Sequence, residues 1–363
     1  MINVTKSFLP PIEDYFEYVK KIWASNQLTN NGPLLKELEQ KLKDYLGVKH
    51  LFFVSNGTIA LQIAIKAADL HGEVITTPFS YVATTSSLVW EGCKPVFVDI
   101  DPDTLCIDPD LIEAAITEKT TGILPTHVYG IPCNVEKIKE IAKKHGLKVI
   151  YDASHSFGGK YKGRSIASYG DIATLSFHAT KVFHTVEGGA IITSDDEMAH
   201  RISYMRNFGH KSQEDFWGLG INGKNSEFHA AMGLCNLPHI NEIIAARKQV
   251  SDWYDEMIKE IDLSKPFIPK ETKYNYPYYP VLFSTETDLI NVKSQMNLDQ
   301  IYPRRYFYPS LNLLPYIKEK YDLMSTEIAK RVLCLPLSTR LSKETVIHIC
   351  KYIKNVLLIS QEI

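Results

Sequence analysis

The distribution of apolar positions divides the chain in two. From about residue 50 to 195, short runs rich in β-branched and aromatic residues alternate with segments of helical periodicity. The strand-like runs are HLFFVS (50–55), EVITTP (73–78), PVFVDI (95–100), GILPTHV (122–128), KVIYDA (148–153), DIATLSF (171–177) and AIITSD (190–195). Several are apolar nearly throughout, the pattern of strands covered by helices on both faces. Between them, Ile59, Ile63 and Ala67 share a helical face after Gly57-Thr58. Asn134 is placed to cap NVEKIKEIAKKHG, with Val135, Ile138 and Ile141 as the apolar stripe and Gly146 as the stop. This alternation predicts a mainly parallel α/β sheet. The last two runs are joined by a short, Gly-ended link, which predicts an antiparallel element on that sheet.

After about residue 235 the pattern changes. A long polar helix (NEIIAARKQVSDWYDEMIKEI) leads to a Pro/Tyr-rich strand region (KYNYPYYPVLF). More helices follow, then the segment IYPRRYFYPSLN and a final helix, KETVIHICKYIKNVLL. The chain therefore reads as an extended N-terminal arm (1–12), a large α/β domain (13–235) and a smaller α+β domain (236–363).

Composition narrows the function. The 363 residues carry a net charge of −2, so nothing draws the chain toward nucleic acid or an anionic membrane. No stretch approaches the roughly 18 apolar residues of a membrane span, and the N-terminus does not read as a signal peptide. The six cysteines are scattered without a CxxC pair. They read as reduced cytoplasmic thiols rather than a metal site or disulfide framework.

Four segments carry candidate chemistry. In SNGT (55–58), Gly57 and Thr58 open a helix directly after a strand, where free N–H groups suit a phosphate; alone, the segment reads more readily as an ordinary capped helix. In YDASHSFG (151–158), Asp152 ends an apolar strand, where open α/β sheets place ligand groups, and His155 lies three residues on. In LSFHATKVFHTVEGGAIIT (175–193), Ser176 ends a strand and Lys181 follows in a loop closed by Glu187-Gly188-Gly189. A lysine held in a cleft has a lowered pKa and reacts as an amine. In TTPFSYVATT (76–85), Tyr81 follows a strand end, where its ring is placed either to stack on a planar cofactor or to fill core.

Together with LTNNGP (28–33), PVFVDID (95–101) and PTHVYG (125–130), this ordered set resembles the DegT/DnrJ/EryC1/StrS sugar aminotransferases. The resemblance runs from the N-terminal arm to about residue 312. It implies the fold type I architecture of pyridoxal 5′-phosphate (PLP) enzymes, with a mainly parallel seven-stranded sheet. It also implies that Lys181 forms the Schiff base and moves the proton, and that Asp152 pairs with the pyridine nitrogen. Tyr81 and His155 would flank the ring, and Gly57, Thr58 and Ser176 would hold the phosphate. Glu187 would lie beside the substrate. The segment GINGKNSEFHAA (220–231) would reach a partner subunit, with Asn222 or Lys224 at the neighbouring phosphate, so a homodimer with shared sites is expected. Lysine at 181 argues against the dehydratase branch, which carries histidine there. The chain departs from the family at Val186, where glycine is common, and at YPRRYFYPSLN (302–312).

By overall similarity, the resemblance implies transfer of an amino group from L-glutamate to dTDP-4-keto-6-deoxy-D-glucose, giving dTDP-4-amino-4,6-dideoxy-D-glucose for a cell-surface glycan such as O-antigen. From the residues themselves, Arg304 or Arg305 reads either as a ligand of the diphosphate or as a surface cation, and Tyr306 or Tyr308 either as a contact to the thymine or sugar or as a core aromatic. The alternatives are amination at C-3′ of a 3-keto isomer, and a PLP-fold dehydratase or PLP-binding regulator. A dehydrogenase reading lacks a G-x-G-x-x-G after the first strand.

Overall fold

All seven apolar runs join one sheet in the computed structural model, which describes residues 1–319 and 321–361. Residue 320 and the last two residues of the expected 236–363 domain lie outside that description. The strands are β1 (His50–Val54), β2 (Glu73–Thr76), β3 (Lys94–Phe97), β4 (Thr120–Leu124), β5 (Lys148–Asp152), β6 (Ile172–Ser176) and β7 (Gly189–Thr193). Their order is β1-β7-β6-β5-β4-β2-β3. Only β7 runs against its neighbours β1 and β6; the other pairings are parallel.

Strand alternation explains the two cores around this sheet. Phe53, Ile75, Ile123, Tyr151 and Leu175 face one side, and Val54, Val74, Leu124, Ile150 and Ile172 face the other. The helices are α1 (Ile12–Ser25), α2 (Pro33–Leu46), α3 (Gly57–Ala67), α4 (Val82–Trp90), α5 (Val135–His145), α6 (Asp196–Met205) and α7 (Glu227–Asn236). On the first side, α2 buries Leu34, Leu35, Leu38, Leu42 and Leu46 along one stripe. On the second, α3 contributes Ala60, Leu61, Ala64 and Ile65, and α6 Met198 and Ile202. The cap expected for α5 is present: Asn134 Oδ1 accepts from the Lys137 N–H at 3.2 Å, and Gly146 leaves the helix at φ +67°.

A third core forms beyond residue 249. It draws on α8 (Ile240–Ile258), α9 (Glu286–Leu298) and α10 (Lys343–Gln361), packed on the antiparallel pair β8 (Tyr279–Leu282) and β9 (Val332–Leu335). The N-terminal residues are sewn onto it. Ile2–Asn3 pair in parallel with Ile301–Tyr302, and the Leu337 N–H donates to the Val4 carbonyl at 2.9 Å. All six cysteines are buried and unpaired. Among the described residues, no helix is long and apolar enough to cross a membrane.

Candidate active site

The C-terminal ends of β1, β2, β5 and β6 open onto one cleft, of about 960 Å³ including its mouth. Nearly every element of this wall follows from a strand that stops where its successor loop must turn. At the end of β1, Asn56 caps α3 by accepting from the Ile59 N–H at 2.9 Å. That leaves the N–H groups of Gly57 and Thr58 outside the helix's own bonds, at its positive end. Ser176, at the end of β6, lies so close that a side-chain carbon on Gly57 would sit 2.9 Å from the serine Cβ. Glycine is therefore required there, and the backbone and the hydroxyl form one cradle.

Asp152 ends β5 and is only 4% exposed. Each carboxylate oxygen accepts one protein hydrogen bond: Oδ1 from the Ser154 N–H at 3.1 Å and Oδ2 from the Thr84 hydroxyl at 2.7 Å. Thr84 in turn lies 2.8 Å from Ser80 Oγ, which accepts from the Thr126 hydroxyl at 3.0 Å. Thr84, Ser80 and Thr126 are all buried, so a directed row of hydroxyls ends on the aspartate. His155 is buried beside it, stacked on Phe307 at 5.5 Å, with Nδ1 lacking a hydrogen-bond partner. Burial, then the nearby Lys181 charge, hold this imidazole well below its ordinary pKa, so it is neutral.

Lys181 faces Asp152 from the loop after β6. Burial lowers its amine to about 8, while Asp152 and Tyr81 pull the other way. Its Nζ lies 3.5 Å from the Tyr278 hydroxyl. Tyr81 stands at the mouth, just before α4, and is exposed. Glu187 lines the rim 3.6 Å from His178 Nε2. The preceding Val186 sits at φ +68°, a left-handed conformation costly for a β-branched residue and natural for the glycine common there.

The cleft therefore gathers Gly57, Thr58, Tyr81, Asp152, His155, Ser176, Lys181, Glu187, Arg304 and Tyr306. Arg305 and Tyr308 are not brought to it. The Arg304 backbone bridges Cys334, so the segment is extended and successive side chains point apart. Arg304 enters the cleft with its guanidinium 4.9 Å from the Tyr306 ring. Arg305 turns away to Glu286 (2.6 Å) and the Lys330 carbonyl, beneath the Tyr308 ring. Asn222 and Lys224 lie outside this cleft; Lys224 Nζ meets Asn222 Oδ1 at 2.9 Å and covers the Phe208 ring. Thr84, Ser154, Tyr278 and Phe307 were not singled out from sequence. The hydroxyl spacing at Ser80 and Thr84, one helical turn apart, was the only visible signal for any of them.

These features define a class: an α/β enzyme with a buried lysine facing a buried carboxylate beside the free N–H groups of a helix start. The chain belongs to the DegT/DnrJ/EryC1/StrS aminotransferase family, whose model matches residues 12–354. It is a transaminase by that membership. It is 44% identical to a dTDP-4-amino-4,6-dideoxy-D-glucose transaminase of Shigella dysenteriae, covering 98% of this chain and 99% of the relative. It is 41% identical to an Escherichia coli protein of the same name, covering 96% and 97%. Among solved structures, DesI in the presence of its TDP-sugar product matches with a TM-score of 0.93 at 32% identity, over 99% of this chain and 95% of that one.

Proposed function

We propose that this chain transfers an amino group from L-glutamate to C-4′ of dTDP-4-keto-6-deoxy-D-glucose, with PLP as its cofactor. The observation that carries the reading is the placement of Lys181 and buried Asp152 in one cleft, next to the free N–H groups at the start of α3. The residues present fit the cofactor. Gly57, Thr58 and Ser176 would hold its phosphate. Asp152, braced by Thr84 and Ser154, has a carboxylate fixed for a protonated ring nitrogen. Tyr81 and neutral His155 would bracket the ring. PLP, when bound, supplies an electron sink for the carbon that loses a proton. The protein's own part is then to hold and move that proton, which Lys181 Nζ is placed to do.

Glu187, Arg304 and Tyr306 would meet the sugar nucleotide. Arg304 has no ion-pair partner among the described residues, which suits it to the diphosphate. Asn222 and Lys224 would complete the phosphate site of a partner subunit, making a homodimer the working unit. Identity of 44% and 41% over nearly whole lengths supports this choice of sugar.

The test is to incubate the purified protein with PLP, L-glutamate and the 4-keto sugar and to follow products by NMR. Formation of 2-oxoglutarate together with the 4-amino sugar is expected. Absence of 2-oxoglutarate overturns the reading, and turnover of the separately supplied 3-keto isomer in place of the 4-keto sugar replaces the substrate.

A further inference from the structure

The stretch from Tyr274 to Tyr278 reaches the cleft wall under heavy restraint. Arg247 on α8 is only 3% exposed, and among the described residues no carboxylate pairs with it. Its guanidinium donates instead to the Tyr276 carbonyl at 2.7 Å and the Pro277 carbonyl at 2.6 Å. A buried cation is costly, and here it is committed to fixing two successive carbonyls. Asn275, fully buried, donates from Nδ2 to the carbonyls of His155 (2.8 Å) and Phe157 (2.9 Å). The Tyr274 hydroxyl donates to the Tyr129 carbonyl at 2.7 Å. Tyr276 is held at φ +52°, a conformation a tyrosine adopts only when its surroundings impose it.

The product of these restraints is the aim of Tyr278. Its ring stands edge-on to His155 at 5.2 Å and against Tyr306 at 5.4 Å. Its hydroxyl lies 3.5 Å from Lys181 Nζ, at the outer limit of a hydrogen bond.

We propose that Tyr278 is a positioning residue for the reacting amine, its hydroxyl holding Lys181 Nζ in the cleft, and that the buried Arg247–Asn275 clamp sets Tyr278. This rests on Lys181 being the reacting amine. The groups facing Nζ are Asp152 from the end of β5, Tyr81 from the start of α4, His155 from the loop after β5 and Tyr278 itself; His178, Glu187, Arg304 and Tyr306 stand further round the same cleft. Of the bonds open to the phenol, accepting from an ammonium is stronger than donating to an amine, because charge-assisted bonds are about twice as strong as neutral ones. Removing the hydroxyl therefore favours the uncharged amine.

The experiment uses cofactor-free protein. Lys181 is acetylated with acetic anhydride from pH ~6 to ~10, the range around a lowered lysine, and the modified peptide is quantified by mass spectrometry. Tyr278→Phe keeps the ring and its packing. It should shift the labelling midpoint downward by about half a pH unit or more, a roughly threefold loss of proton affinity. Arg247→Met should move the midpoint the same way, and the double variant no further. An unchanged or raised midpoint in a Tyr278→Phe protein with native circular dichroism overturns the proposal, and that variant decides alone if Arg247→Met does not fold. Neither glutamate nor sugar enters this measurement. A failed product assay therefore leaves its result standing, and an unmoved midpoint leaves the transaminase reading standing.

Discussion

Lys181 is useful as a nucleophile only when uncharged, and its surroundings push it that way. With burial lowering the amine to about 8, the folded chain lacks a proton that the unfolded chain still binds between that pH and the ordinary lysine range. The penalty for burying Lys181 is thus full below about pH 8 and fades as the pH rises above it. Lys181→Met should therefore raise the melting temperature of the cofactor-free protein most below pH 8, with the gain shrinking at higher pH; a pH-independent gain would contradict the account. Thr84 offers a second check. Its hydroxyl is one of two protein donors to Asp152, and bonds to charged groups contribute about 1.5–3 kcal/mol. Thr84→Val should lose about that much stability in denaturant titration. Lys181 and Asp152 were legible in the sequence because strand ends are. Thr84 and Tyr278 were not, because they meet their partners across 68 and 97 residues. Arg304 and Arg305 could not be told apart until the Cys334 bridge fixed which one faces the cleft.

Between elements, α2, β1 and the residue that ends α6 are locked by one largely buried pair, its side chains 14% and 9% exposed. Glu39 Oε1 takes the Arg206 guanidinium and the Phe53 N–H at 2.7 Å, and Arg206 also donates to the Phe53 carbonyl at 3.1 Å. Glu39→Gln leaves the arginine charge buried and unpaired, so a loss of about 3–5 kcal/mol is expected in thermal or denaturant unfolding. A change under about 1 kcal/mol, the size typical of an exposed pair, would contradict burial as the cause. The seven strands were readable because each carries a short apolar run bounded by turn residues. The Pro/Tyr-rich stretch reads as a strand region, and in the structure it is interrupted: Thr272–Lys273 pair with Lys160–Tyr161, and β8 begins at Tyr279. The reason for the break is local: Arg247 and the left-handed turn at Tyr276 take the backbone between Lys273 and Tyr279 out of a ladder.

At the scale of the molecule, the segment before Asn222 exposes Phe208, Phe216, Trp217, Leu219 and Ile221, and α1 exposes Phe16 and Trp23. Exposed apolar surface of this extent marks an interaction site, and a second copy of the chain would bury it in the proposed dimer. Shared active sites make a sharp prediction. Lys181→Ala and Lys224→Ala should each be inactive alone, while mixed subunits should recover about a quarter of wild-type activity from the one intact site in each heterodimer. No recovery after verified subunit exchange would place Lys224 outside the partner's site. The most direct measurement, however, concerns Lys181 itself: treat the protein with PLP, reduce with borohydride, and locate the attached cofactor by peptide mass spectrometry. The account predicts the cofactor on the peptide bearing Lys181, and its loss in Lys181→Ala. Attachment at another lysine, or none at all, would contradict it.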